Sequence, residues 1–595
     1  MTNLLEQLQK EVASVAEQLY ATSFDAASIK IDKTPPDFDG EFTVVVFTFV
    51  KASRKSPEAT ANELGAALMA GFSLIKSFNV VKGFLNISFT DDCWLQILSE
   101  IHSAENFGQL PSTGKQVVVE YCGPNTNKPL HLGHIRNILL GYSTANILSA
   151  AGHSVHKVNI LNDRGIAICK SMVAYKRNGN GSTPASIGMK GDHFVGKYYV
   201  EYSKIIEAEI SALMNNADIS KDAAEKQAPI YLEAQEMLLK WEAGDSEVMA
   251  LWNMMNSWVY SGFDITYKLI GIDFEKEYKE SEFYLNGKKM VLEGLNSGAF
   301  FKKEDGSVWV DLTSDGLDQK VLLRADGTSV YITQDMGVAE ERYRDFTFDE
   351  SIYVVANEQD YHFKVLKLVL QKLGRKYADG IHHMSYGMVD LPEGKMKSRE
   401  GTVVDADDLI EGMVSEAMDF LASSEKNAEL NETEKQTLAH DIGMSALKYF
   451  ILKVDPKKRI LFNPKESIDL HGNTGPFIQY AYARIRSILR KIDEVKVNIQ
   501  VSIGTGLMPA EKELIIILSQ YPGIVKLAAE TYSPAEIGNY LYLLAKKFNS
   551  FYADHSILKA ESEEKMHLRA VIALHVSLVI KHGLDLLGIH SPEKM

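Results

Sequence analysis

Cysteine is scarce: the chain has three in 595 residues, Cys93, Cys122 and Cys169, with no close pair. A disulfide framework and a multi-cysteine zinc site are both excluded. Long apolar runs are missing as well. None approaches the roughly 20 residues that span a bilayer, so no membrane partner is expected. The opening segment MTNLLEQLQKEVASVAEQL is an amphipathic helix pattern without the apolar core of a signal peptide. Secretion is not expected, and a cytoplasmic location is. A positive balance is the third absence, because 63 Lys+Arg face 79 Asp+Glu for a formal charge of −16. Taken alone, that sign argues against a nucleic-acid partner.

What is present is an ordinary globular composition, 45% apolar and 24% charged. One hydrophobic core does not suffice at this length, and two to four domains are expected. The charge is uneven. Residues 440–595 hold 20 basic and 16 acidic side chains, residues 186–286 hold 9 and 18, and residues 1–110 hold 8 and 14. The acid therefore lies in particular segments, as solvated helix faces do. A nucleic-acid surface remains possible elsewhere.

Periodicity divides the chain into zones. Residues 1–112 read as a small α+β domain. A first helix is followed by GEFTVVVFTFVKA (Gly40–Ala52) as a buried strand, a helix capped by Ser56, and GFLNISF (Gly83–Phe89) as a second strand. PSTGKQ reads as a linker. From Gln116 the pattern becomes strand, loop, helix: QVVVEY, CGPNTNKPLHLGH, IRNILLGYSTANILSAAG, then the strand HKVNIL. That alternation signals a parallel sheet of βαβ units, a Rossmann-like domain over 113–455. Residues 186–286 are mostly helical and read as an insertion. Strand character returns in SVWVDL, KVLLRADGTSVYIT, SIYVVAN and HHMSYGMV. From about Asp405 the pattern is almost wholly helical, and 456–595 forms an all-α domain. The fold class is thus α/β multidomain.

Two segments carry chemistry. In Pro124-Asn-Thr-Asn-Lys-Pro-Leu-His131-Leu-Gly-His134, two histidines flank Leu-Gly where a strand passes into a helix. A helix start offers free backbone N–H groups and the positive end of its dipole to a phosphate. Gly133 lets a flat adenine approach the backbone, and each imidazole has a hydrogen bond to donate to a phosphate oxygen. A lone His-x-x-His also fits zinc or core packing; the strand before it and the long helix after it favour the nucleotide. The second segment, Gly394-Lys-Met-Lys-Ser-Arg-Glu-Gly401, places Lys395, Lys397 and Arg399 between two glycines. By itself a basic turn is a common surface feature. Paired with the first segment, it reads as the second half of an ATP site.

These residues resemble a family. HLGH is similar to the HIGH signature, and GKMKSREGT to a worn KMSKS signature, of class I aminoacyl-tRNA synthetases. Within that class VEYCGPNTNKPLHLGHIRN, LLRADGTSVYITQDMGVAEERY, IYVVANEQDYH, GMVDLPEGKMKSREGTVV and HGNTGPFIQYAYARIRSI resemble arginyl-tRNA synthetases, in the family's order from Val119 to Ile488. The resemblance implies an ATP-dependent arginine–tRNA ligase, in which the arginine carboxylate attacks the α-phosphate of ATP. Arginyl-adenylate and pyrophosphate form, and the arginyl group then passes to the terminal ribose of tRNA(Arg). It implies catalytic roles for His131, His134, Lys395, Lys397 and Arg399, and ATP contacts from Pro124, Pro129, Leu132, Gly133, Met388, Met396 and Ser398 in the signature and the 388–404 loop. The loop lacks one lysine of the general pattern, and Lys128, three residues before His131, is the candidate to replace it. Magnesium is expected with the ATP, with no dedicated carboxylate cluster; zinc is not expected, nor any other resident metal.

For the amino acid, a planar and permanently charged guanidinium demands carboxylates and suits a tyrosine. The resemblance assigns Glu120, Tyr331 and Asp335 to the guanidinium and Asn125 and Gln359 to the substrate backbone. Tyr331 and Asp335 are four apart, on one face if a helix begins there. His362 is placed near the ribose, with a core histidine as the alternative. For tRNA, Tyr480, Tyr482, Arg484 and Arg486 interleave aromatics with arginines, which suits stacking on bases and pairing with phosphates. Asn473 precedes them, and Phe84 and Asn86 match elbow-contacting positions. The helical domain 456–595 is expected to read the anticodon, and a monomer is expected.

Three other readings compete. A cysteinyl enzyme of the same class needs zinc ligands that three scattered cysteines cannot provide, and a glutaminyl enzyme has no need of Glu120, Tyr331 and Asp335 around a cation. A small nucleotidyltransferase sharing the histidine loop leaves both flanking domains unexplained. A binding-only RNA protein has no need of two phosphate segments.

Overall fold

A computed structural model describes residues 4–35, 37–217, 219–390, 404–422, 430–494 and 506–595. The N-terminal part begins with the helix Leu4–Tyr20. It builds an antiparallel sheet from β1 (Ile31–Lys33), β2 (Phe42–Val45), β3 (Ile75–Val81) and β4 (Phe84–Phe89), in the order β1-β2-β4-β3. Phe42, Phe89 and Trp94 pack together as its aromatic core. Ser56 caps the helix Pro57–Gly71 as expected, accepting the Ala59 amide. The long apolar run is a strand only over β2. From Val46 it becomes a 3-10 turn and then a short helix. The reason lies in the partner: Val45 pairs with Phe84, the first residue of β4 after the Lys82–Gly83 turn, so no ladder remains beyond it.

The central sheet contains β5 (Gln116–Glu120), β6 (Ser154–Leu161) and β7 (Lys276–Lys279). After a small antiparallel sheet of β8 (Phe301–Lys302), β9 (Val308–Val310) and β10 (Lys320–Leu323), it continues with β11 (Glu350–Ala356) and β12 (Ile381–Tyr386). All five central strands are parallel, in the order β12-β11-β5-β6-β7. Val117, Val118 and Val119 are fully buried, as a strand covered on both faces requires. Chain order runs outward from β5 on one side through β6 and β7, and on the other through β11 and β12. The β5/β11 boundary is therefore the switch point, where ligands bind at the carboxyl ends of an open α/β sheet.

The helix Leu132–Ala150 packs on this sheet so closely that a Cβ at Gly141 would fall 2.2 Å from Tyr121 Cβ. Between β6 and β7 come the helices Gly191–Ala217, Lys221–Gln227, Pro229–Glu242 and Ser246–Ile270. The 186–286 segment is thus mostly helical, as expected, but its end supplies β7 to the sheet. VYIT is not a strand: β10 ends at Leu323, and Tyr331 opens the helix Tyr331–Phe346. Beyond Asp405 the described residues are mostly helical, and β14 (Ile460–Leu461) pairs with β13 (Val389–Asp390).

The two ends of the chain meet. Lys512 pairs with Glu41 at 2.5 Å, the Leu507 amide donates to Asp91, and the rings of His102 and His575 hydrogen-bond at 3.0 Å. No helix among the described residues is long and apolar enough to cross a membrane.

Candidate active site at the switch point

The chain leaves β5 through two residues in the left-handed region, Cys122 and Gly123, with φ of 81° and 60°. Two buried asparagines hold that turn. Asn137 accepts the Cys122 amide at 2.6 Å, and Asn159 accepts the Gly123 amide at 3.1 Å. Asn137 also donates to the Val354 carbonyl in β11, so a single side chain ties the signature loop across the switch point. Cys122 itself is buried, and burial pushes its thiol up to about 12, which leaves it inert.

The loop ends in a reciprocal cap. His131 is the N-cap of Leu132–Ala150, and its Nδ1 accepts the Gly133 amide at 3.1 Å. The His131 amide in turn donates to His134 Nδ1, also at 3.1 Å. Each ring thus uses Nδ1 as an acceptor, which leaves Nε2 to carry the proton and act as donor. Burial, and then the charge of Lys128, lowers His131 to about 4. Burial also holds His134 well below the ordinary histidine range, and His131 and Lys128 push the same way. Two neutral imidazoles with their Nε2–H groups fixed suit an anionic ligand that must be bound without proton transfer.

The cap corrects one expectation. The helix start does not present its first amides freely, because Leu132 N–H donates to the Val404 carbonyl at 3.0 Å and Gly133 N–H to His131. The segment after the second loop lies across this helix end as a short antiparallel bridge, with His131 opposite Asp405 and Ala406 N–H donating to Leu130. The anionic contacts thus fall to side chains more than to the amides. The Cβ position of Gly133 points at the His131 ring, 3.0 Å from Cε1, so the glycine is required by the cap as well. Lys128 is partly exposed beside both rings. Pro124 and Leu132 are buried, Pro129 packs on Gly196, and Met388 is exposed. Lys395, Met396, Lys397, Ser398 and Arg399 lie outside the described residues.

The expected arginine contacts gather at the same end of the sheet. Glu120, at the end of β5, is buried and paired with the buried guanidinium of Arg342, itself set between the rings of Tyr278 and Tyr353. Burial raises the Glu120 carboxyl, and Arg342 opposes the rise. A helix does begin at Tyr331, which puts Tyr331 and Asp335 on one face; the tyrosine is 81% exposed. Asp335 Oδ2 meets His362 Nε2 at 2.5 Å, which brings His362 to the carboxylate. Asn125 and Gln359 are exposed on the segments after β5 and β11.

Sequence reasoning missed Glu280. It opens the helix Glu280–Ser297 right after β7, accepts from Gln334 at 2.8 Å, and lies 3.7 Å from Arg164. Burial first, then Asp163 and Asp335 against Arg164, sets its carboxyl at about 7. Asp335 acts on both Glu120 and Glu280, so three carboxylates converge. Glu120 is matched by Arg342 and Glu280 by Arg164, whereas Asp335 faces an imidazole. Asp335 is thus the carboxylate most available to an incoming cation. The signal in sequence was faint: one Glu after a four-residue edge strand, among many acids of the insertion.

The expected RNA contacts separate. Phe84 is exposed and stands edge to face with exposed Phe47 at 5.4 Å. Asn86 is buried, accepting from Thr43 at 2.6 Å and donating to Asn79 at 2.9 Å, so it is part of the sheet and not a free contact. Tyr482 is 4% exposed and belongs to the core, because its side of the helix Gly475–Glu494 faces the bundle. Arg484 stacks on Tyr480 and donates to Asn549 at 2.7 Å, while Arg486 pairs with Glu593 at 3.2 Å. Asn473 accepts from Tyr449 at 2.6 Å.

A parallel sheet with a histidine-capped signature at its switch point, followed by a helical C-terminal body, defines a class I aminoacyl-tRNA synthetase architecture. Family models match in three consecutive stretches: arginyl tRNA synthetase N terminal domain over residues 6–89, tRNA synthetases class I (R), catalytic domain over 97–463, and DALR anticodon binding domain over 478–595. The arginine–tRNA ligase of Parabacteroides distasonis is 51% identical over 594 residues, 99% of both chains. That of Bacteroides thetaiotaomicron is 53% identical over 593 residues, 98% of this chain and 99% of the relative. Among solved structures, Thermus thermophilus arginyl-tRNA synthetase aligns over 100% of both chains with a TM-score of 0.79 at 24% identity, a likeness of fold. The chain belongs to the arginyl-tRNA synthetase family.

Proposed function

We infer that this chain joins L-arginine to tRNA(Arg) at the expense of ATP, by way of arginyl-adenylate and with release of pyrophosphate and then AMP. The observation that carries the site assignment is the neutral His131–His134 cap standing across the switch point from the acidic pocket of Asp335. Triphosphate on the side of the cap and guanidinium on the side of Asp335 bring the arginine carboxylate to the α-phosphate between them. Catalysis is then positioning plus stabilisation of charge that builds on the phosphate oxygens. His131 and His134 donate from Nε2, Lys128 adds a positive charge, and Lys395, Lys397 and Arg399 add theirs from the second loop. Neutral imidazoles take no proton from the amino acid, so its α-carboxylate attacks as the anion it already is at neutral pH.

Tyr331 and Asp335 hold the guanidinium, with Glu120 braced by Arg342 beside them and Glu280 completing the anionic wall. Asn125 and Gln359 hold the substrate's α-amino and carboxylate groups. Magnesium enters with the nucleotide. Asp405 and Asp407, the carboxylates nearest the cap, are engaged by helix amides, His193 and Lys190, which supports an ion carried by the phosphates over one held by the chain. Residues 1–112, 113–455 and 456–595 act as elbow-contacting, catalytic and anticodon-reading domains of a cytoplasmic monomer. Exposed Phe84, and Tyr480 and Arg484 as a half-buried stacked pair, are the tRNA contacts best supported.

The test is aminoacylation of tRNA with each amino acid in turn, with ATP–pyrophosphate exchange run with and without tRNA. Activity with arginine alone supports the reading; charging with another amino acid overturns it.

A further inference from the structure

The segment that bridges the signature helix is gripped from its other side. Asp407 Oδ2 is 2.6 Å from the Lys190 ammonium and 3.0 Å from His193 Nε2, and its Oδ1 accepts the Thr266 hydroxyl at 2.8 Å. Lys190 also reaches Thr266 at 2.5 Å and buried Asp192 at 3.2 Å. Lys190, His193 and Thr266 all come from the helical insertion, where packing leaves no slack. A Cβ on Gly191 would fall 1.9 Å from the Trp258 carbonyl, and one on Gly262 would fall 2.3 Å from Asp192 Oδ1. Asp192, His193 and Asp407 lie within metal-ligand reach of one another, but Lys190 bonds both carboxylates, so the cation there is the chain's own.

This clamp is two residues from the bridge. Ala406 and Val404 make the backbone bonds to Leu130 and Leu132, and Asp407 follows directly. The amides of Leu132 and Gly133 are adjacent, and each needs an acceptor at the helix start. With Val404 taking the first, the His131 ring takes the second, and its tautomer follows. If Val404 withdraws, two amides compete for one Nδ1.

We propose that Asp407, held by Lys190, His193 and Thr266, is a positioning residue for the signature histidines. It sets the height of the 404–406 segment so that Val404 caps Leu132 and His131 is left with its Nε2–H aimed outward. The proposal rests on the reading of His131 as a phosphate ligand, and it gives the helical insertion a direct mechanical line to the ATP site.

The test uses the full chain with Asp407→Asn and, as the milder change, Thr266→Val. Nitrogen-15 spectra of the histidine side chains report tautomers, with His131→Gln and His134→Gln assigning the signals. Wild type is expected to show both rings protonated at Nε2, and Asp407→Asn to show a mixed His131 tautomer. In the exchange assay, with tRNA present, kcat falls on the order of 10- to 100-fold while the arginine KM stays within about twofold; Thr266→Val moves both readouts the same way and less. Unchanged tautomers in both variants, or a kcat loss no larger than the unfolded fraction measured by thermal melting, overturns the proposal. A wild-type chain inactive with arginine overturns the functional reading instead, and the tautomer measurement still decides the positioning.

Discussion

His131 and Asp405 stand opposite one another in an antiparallel bridge, and each is the cap of a helix start. His131 takes the Gly133 amide, and Asp405 takes those of Asp407 and Asp408 at 2.8 and 3.3 Å. Two helix N-termini, distant in sequence, thereby converge on one place. Their dipole ends add, which favours a polyanion there even though the first amides are engaged.

Lys128→Ala tests the extra cation. The side chain is partly exposed beside both histidine rings, so folding stability changes little. Pyrophosphate exchange is expected to fall on the order of 100-fold. An unchanged exchange rate removes Lys128 from the reaction.

Asp335→Asn keeps the shape and removes the charge proposed to hold the guanidinium. The arginine KM is expected to rise on the order of 100-fold, with the ATP KM nearly constant, because one charge-assisted pair is lost from a desolvated pocket. Steady-state kinetics with each substrate varied in turn checks this. Equal effects on both constants count against the assignment.

Phe84→Ala and Asn86→Ala should part company. Phe84 is exposed, so its loss weakens tRNA binding without lowering the melting temperature. Asn86 is buried in a hydrogen-bonded row, and its loss leaves Thr43 and Asn79 without their partner, at about 1–3 kcal/mol to the N-terminal sheet. Binding titrations and melting curves on both variants separate the two roles.

Acid should loosen the molecule through its buried histidines. His131 and His575 are both lowered to about 4, chiefly by burial. Their folded values lie below the ordinary 6.5, so the unfolded chain binds protons first as pH falls. Their contribution is full above about pH 6.5 and is lost progressively between 6.5 and 4. Through these two groups the melting temperature is expected to be flat from pH 8 to 7 and to fall below 6.5, against an opposite slope from Glu280, whose raised carboxyl takes up its proton first in the folded state. His575→Asn, which removes one of these groups at the contact with His102, should flatten part of that slope.

Arg569→Met removes one partner of a fully buried ion pair. Glu511 is completely buried, accepts Arg569 at 2.8 Å and Lys565 at 2.5 Å, and caps its own helix through the Met508 amide. Stripping the arginine leaves that carboxylate undercompensated, at about 3–5 kcal/mol. Limited proteolysis should then cut within 506–595 at lower temperature. Unchanged resistance would show that Lys565 alone suffices.

Much was legible in the chain because local periodicity and composition act over a few residues. Whereas the helix beginning at Tyr331 lies where the sequence reads as strand, the valines of β5, the Ser56 cap and the run of C-terminal helices all follow from neighbours in sequence. So does the character of HLGH as a loop between strand and helix, and the resemblance of its motifs to one family. The charge of −16 was the misleading quantity, since a sum over the chain says nothing of where the charges stand.

What the tertiary structure alone decided is which polar groups already have partners. Asn86 and Tyr482 have the composition of contact residues, yet neighbouring elements enclose them. Glu120 reads as a free carboxylate until Arg342, far along the chain, is brought against it. The first amides of the signature helix read as open until residues 404–406 are laid across them. Glu280 stands out from the other acids only once burial and Asp335 surround it. Availability for a ligand is a property of desolvation and of long-range pairing, and those depend on residues that sequence order keeps apart.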